Sequence, residues 1–184
     1  MLPPLFNLLP VFSAAELLAI VVACCAAISD LQSRTISNNL VVAAIVTALP
    51  IHLLATPWPH ALQLWSLGAL TGLLSFLPFY ILRGMAAGDV KLMAAVGAFV
   101  GPALAFHIAL NTFLVGGCLA LIIILINGKM FIAWCNIRAL LMQITNHNRD
   151  LKNFPHTLPY ASVGNLPYAT AIAIGTMLGI FLQT

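Results

Sequence analysis

From Val90 to Ile126 the chain carries a single charged side chain, Lys91, in a run that is otherwise almost wholly apolar. Few folds accept such a run. At about 1.5 Å rise per residue it is too long for one helix across a hydrocarbon core of about 30 Å. Gly101-Pro102 breaks it, because Gly-Pro is a strong turn signal. The run therefore reads as a short helix followed by a longer one from about Ala103 to Ile126. Its apolar residues are continuous rather than alternating, which argues against a β-barrel, and lipid admits only helices or closed barrels.

The rest of the chain has the same character. Of 184 residues, 62% are hydrophobic and 6% charged, far below the roughly 25% charged residues of a water-soluble domain. Further apolar runs extend from about Val11 to Ser29, Leu40 to Ala55, Ala61 to Leu82 and Pro167 to Leu182. Six membrane spans result. The distribution of basic residues supports this number independently. With the N-terminus outside, the inside segments are 30–39, 83–91 and 127–165, and they hold Arg34, Arg83, Lys91, Lys129, Arg138, Arg149 and Lys152, which are all of the Lys and Arg residues. That is the asymmetry expected of cytoplasmic loops. Merging the fourth and fifth spans would move Lys129, Arg138, Arg149 and Lys152 to the other side. The expected fold is an all-α polytopic membrane protein, a six-transmembrane-helix bundle forming one domain over residues 1–184. The stretch "MFIAWCNIRALLMQI" (130–144) is expected to lie as an interfacial helix on the cytoplasmic side; a seventh span there would violate the charge pattern. The opening "MLPPLFNLLPVFSAAELL" has no Lys or Arg and is read as the start of the mature protein rather than a removable signal.

Cys24, Cys25, Cys118 and Cys135 form no C-x-x-C pair, so they are read as packing residues, and neither a metal nor a cofactor is expected. No H-E-x-x-H or G-x-S-x-G pattern is present. His107, within the fifth span, reads as a packed residue.

Four acids remain: Glu16, Asp30, Asp89 and Asp150. Glu16 falls near the outer end of the first span, and Asp150 in a polar inside loop. Asp30 closes the first span and Asp89 opens the fourth, and the topology puts both at the inner face. Each also has a purely structural explanation. Asp89 before "VKLM" suits a helix N-cap. Asp30 suits an interfacial charge, although a carboxylate at a helix C-terminus opposes the helix dipole. Ionisable groups at membrane depth cost about 3 kcal/mol near the bilayer centre and are commonly functional. If Asp30 and Asp89 meet, they cannot both ionise easily. The ionised one then activates a water, and the protonated one polarises a scissile carbonyl. Such a pair titrates as a unit.

The segments "AAISDLQSRTISNNL" (26–40), "GMAAGDVKLMAAVGAFVG" (84–101) and "NLPYATAIAIG" (165–175) resemble the type IV prepilin peptidases, membrane aspartic peptidases with one aspartate after the first span and another in a Gly-x-Gly-Asp motif. The resemblance assigns the catalytic positions to Asp30 and Asp89. It also matches Gly88, Lys91, Arg34, Ile36 and Asn38 to motif positions. Two residues depart from the pattern: Ala86 stands where the motif has its first glycine, and Ser37 where proline is usual. A glycine-only backbone at Ala86 would strain the loop.

The absence of a C-x-x-C pair and the short chain make it similar to the peptidase-only branch that serves Flp/Tad pili, without N-methyltransferase activity. The resemblance implies a bacterial cytoplasmic-membrane enzyme whose partners are prepilin substrates and membrane lipids, with no nucleic acid. The inside basic residues are expected to meet lipid headgroups. Two other classes compete. One is a catalytically silent membrane scaffold of a pilus or secretion machine, favoured by Ala86. The other is a small proton- or cation-coupled transporter using Asp30 and Asp89, which lacks the paired halves expected of such proteins.

Overall fold

Ser13 and Glu16 open the first helix. Ser13 Oγ accepts the Glu16 N–H (3.2 Å), and the Glu16 carboxylate accepts the Ser13 N–H (2.8 Å). This reciprocal capping box satisfies two amides that a helix start otherwise leaves bare. It also accounts for one of the four acids. The computed structural model describes residues 13–82, 84–126, 128 and 168–183. Among them are six α-helices and no strand: α1 (Ala14–Ser33), α2 (Asn38–Ala55), α3 (Trp58–Ile81), α4 (Ala87–Val100), α5 (Pro102–Ile126) and α6 (Tyr168–Gln183). Helices α1, α2, α3 and α5 are each long and apolar enough to cross a membrane. The chain is an all-α polytopic membrane protein, as its apolar runs require. The stretch 130–144, expected to be interfacial, lies outside the described residues, as does Asp150.

Contacts divide the chain into two units, one running to Gly116 and including α6, the other beginning at Gly117. Of the second unit, the end of α5 and Gly128 are described. There α5 is apolar, with Leu121, Ile122, Leu125 and Ile126 exposed.

The first unit is built around α4. Apart from Lys91, every residue of α4 from Asp89 to Phe99 is buried. Helices α1, α2, α3 and α6 surround it, with α3 in the most extensive contact. Burial of apolar surface does not drive helices together in lipid, where close packing through small residues does. Glycines four apart on α3 supply that packing. Gly68 lies against the Gly97 carbonyl, Gly97 against the Gly68 carbonyl, and Gly72 against the Met93 carbonyl. A second such pair, on α6, packs onto α5: Gly175 against Thr112 and Gly179 against Ile108. Both pairs are spaced G-x-x-x-G, so each pair lies on one helix face.

Proline shapes the polar contacts inside the bundle. In a continuous helix the Ala98 carbonyl would accept the N–H of residue 102, but Pro102 has none. His52, buried on α2, fills the vacancy, with its Nε2 donating to the Ala98 carbonyl at 2.9 Å. Between α4 and α5 the chain turns on Gly101 alone, whose φ of 79° lies in the left-handed region that side chains disfavour. This is the break expected at Gly101-Pro102.

Candidate active site

Asp30 lies in the last turn of α1, one turn earlier than expected, because α1 continues to Ser33. Arg34 ends the helix. Its φ of 56° is left-handed, and its N–H donates to the Asp30 carbonyl at 3.0 Å, which closes the helix in the usual way. The turn that follows is fixed by hydroxyls. Ser29 Oγ donates to the Thr35 carbonyl (3.0 Å), and Ser33 Oγ bridges the Ser29 carbonyl (2.8 Å) and the Thr35 carbonyl (3.2 Å). No basic residue occupies the last turn of α1. The Asp30 carboxylate therefore lies at the helix end where the dipole disfavours a negative charge.

Asp89 is not the N-cap of α4. The helix begins at Ala87, its N-cap is Ala86, and Asp89 is the third helical residue. Its carboxylate feels the Ala86 backbone amide, and the N-cap, an alanine, supplies no side-chain cap. Asp89 is nonetheless buried, with 6% of its surface exposed. Asp30 acts on it as a like charge, so the two carboxylates stand within electrostatic reach of each other. A helix start favours an acid near its first amides; it does not need that acid buried within electrostatic reach of a second one.

The motif residues acquire physical roles. Ile36, half-buried in the α1–α2 turn, packs on Gly88: a Cβ at Gly88 would meet the Ile36 side chain at 3.4 Å. Lys91 Nζ donates to Asn38 Oδ1 at 3.1 Å, tying α4 to the first residue of α2. Ile36 and Asn38 thus hold the turn after Asp30 against the start of α4. Arg34 contributes through its backbone, as the helix stop. Ala86 has φ −78° and ψ 150°, ordinary extended backbone. The strain anticipated for a glycine-to-alanine change at that position does not arise. Ser37, in the usual proline position, has φ −63°, the value a proline ring imposes.

Tyr168 was not singled out from the sequence. It opens α6, its phenol rests on Gly116 of α5, and the charge of Asp89 acts on it. The sequence signal was its place in "NLPYATAIAIG", but no local pattern ties that segment to Asp89. Among the described residues no group of three or more His, Cys, Asp or Glu is arranged to hold a metal ion.

Asp89 thus lies within electrostatic reach of Asp30 and of the Tyr168 phenol, while Lys91, exposed on α4, is directed to Asn38. No curated protein and no solved structure matches the chain. A family profile does match, over residues 17–121, a stretch that includes Asp30, Asp89 and the clasp between them. The chain belongs to the type IV leader peptidase family.

Proposed function

We propose that this membrane peptidase is an aspartic endopeptidase that removes the leader from type IV prepilins of the Flp kind, at the cytoplasmic face of the bacterial inner membrane. The observation that carries the reading is the burial of Asp89 within electrostatic reach of Asp30. In the proposed reaction the ionised member of the pair takes a proton from water as that water attacks the scissile carbonyl. The protonated member donates to the carbonyl oxygen, and the tetrahedral intermediate collapses with proton return to the leaving amine. The pair shares these roles, and neither carboxylate is assigned one permanently. The substrate's basic leader stays on the cytoplasmic side and its apolar helix in the bilayer, with the cut between them. Asp30 at the end of α1 and Asp89 at the start of α4 suit a cut at that boundary. Peptidase activity without N-methylation is part of the same reading. The silent-scaffold alternative drew on Ala86, and the unstrained backbone at that residue removes its main support.

Co-expression with an Flp-type prepilin tests the proposal, with leader removal followed on a gel. The native chain is expected to cleave, and Asp30→Asn and Asp89→Asn to lose cleavage while remaining in the membrane. Cleavage by either variant refutes the aspartic mechanism; no cleavage by the native chain returns the reading to a scaffold. Because one carboxyl must be ionised and the other protonated, the rate should fall on both sides of an optimum pH.

A further inference from the structure

We infer that Lys91 and Asn38 form a positioning latch, which sets the separation of Asp30 from Asp89 by holding the α1–α2 turn against the start of α4. The inference rests on the proposal that these two acids act as a pair. Lys91 follows Asp89 by two residues, and residues two apart on a helix do not share a face. Asp89 accordingly is buried while Lys91 is exposed, and the ammonium group of Lys91 goes to Asn38 Oδ1 at 3.1 Å instead.

The partner is well placed to act on Asp30. Asn38 is the first residue of α2, and the segment leading back from it to Asp30 is internally braced by Ser29, Ser33 and Arg34. A braced segment moves as a piece, so a pull at Asn38 is felt at Asp30. Two contacts tie this segment to the first turns of α4: Ile36 on Gly88, which is apolar and lets the surfaces slide, and Lys91 to Asn38, which is directional. A charge-assisted hydrogen bond fixes a distance in a way that a methyl contact does not. Catalytic groups misplaced by about 1 Å lose rate by up to about 100-fold. A lysine at this depth would otherwise read as a headgroup anchor, which needs no asparagine.

The test is a double-mutant cycle with purified enzyme and an Flp-type prepilin in detergent micelles, measuring kcat and KM separately. Lys91→Met removes the donor and keeps the side-chain length; Asn38→Leu removes the acceptor and leaves the charge. A latch predicts that each lowers kcat about 10-fold with KM little changed, and that the double variant is no slower than either single one. Asn38→Asp, which strengthens acceptance from the ammonium group, is expected to retain native kcat. Unfolding midpoints are measured alongside, and a kcat loss with an unchanged midpoint supports positioning rather than general weakening. The inference is overturned if Asn38→Leu cleaves at the native rate, if the two losses multiply, or if the effect falls on KM alone. Asp30→Asn and Asp89→Asn in the same assay separate the two ideas. If they still cleave, the paired-acid mechanism fails and the latch with it. If they are dead while the latch variants are native, the latch alone is wrong.

Discussion

Adding one methyl group at Gly72 should loosen the helix that carries Asp89. A Cβ built there would overlap the Met93 carbonyl oxygen and lie 2.9 Å from the Met93 carbonyl carbon and 3.2 Å from Ala94 Cα. These are backbone atoms of a buried helix, so no side chain can rotate aside. Ordinary carbon–carbon contact is about 3.5–4.0 Å, so α3 and α4 must part locally by about 1 Å. Overpacking of this kind costs about 1–3 kcal/mol, and the rigidity of the opposing backbone places Gly72→Ala near 3 kcal/mol. Gly117→Ala is the matched control. No atom among the described residues lies within 4 Å of a Cβ at that position. In the middle of α5 the same change gains helix propensity, about 1 kcal/mol at most. Reversible unfolding in mixed micelles should therefore move in opposite directions for the two variants, and prepilin cleavage should fall for Gly72→Ala only. Equal stability of the two variants would refute the claim that glycine-mediated contact between α3 and α4 holds the helix bearing Asp89.

Three other substitutions probe the frame. His52→Leu leaves the Ala98 carbonyl without a donor and should lower stability in micelles by about 1–2 kcal/mol, near the upper end for hydrogen bonds inside membranes. Ala86→Gly should keep full cleavage while costing about 0.4–1 kcal/mol of stability, because an extended backbone gains nothing from glycine and the unfolded chain gains freedom. Ser37→Pro should be tolerated or add about 0.4–1 kcal/mol, read from the unfolding midpoint, because φ is already −63° and the Ser37 N–H bonds no backbone group among the described residues.

The helices were readable because lipid leaves the backbone few choices, and each apolar run lies within a few residues of a helix in the structure. Their ends were harder. Asp89 looked like a cap because acids favour helix starts, yet the boundary is set three residues earlier by the extended backbone of Ala86. The hydrophobic run at 11–29 stops at Asp30, but the helix does not: hydrogen bonding carries α1 to Ser33, where a left-handed Arg34 ends it. The count of spans led to the expectation that the two acids share one end of the bundle. The burial of Asp89 was not legible, because it depends on which helices pack around α4. The G-x-x-x-G spacings at Gly68/Gly72 and Gly175/Gly179 were not read from the sequence, because spacing alone does not say which helices such a face meets. His52 was unreadable for a related reason. Pro102 announces a carbonyl without a donor, but nothing local says which side chain arrives.

Helix α4 has 14 residues, including an aspartate and a lysine, whereas a segment that enters a bilayer unaided needs about 20 mostly apolar ones. Released alone from the insertion machinery, it would be rejected. Its insertion should therefore follow that of α3, which is long, apolar and notched with glycine where α4 lies. On that order of events Asp89 would meet the bilayer only with α3 already beside its helix.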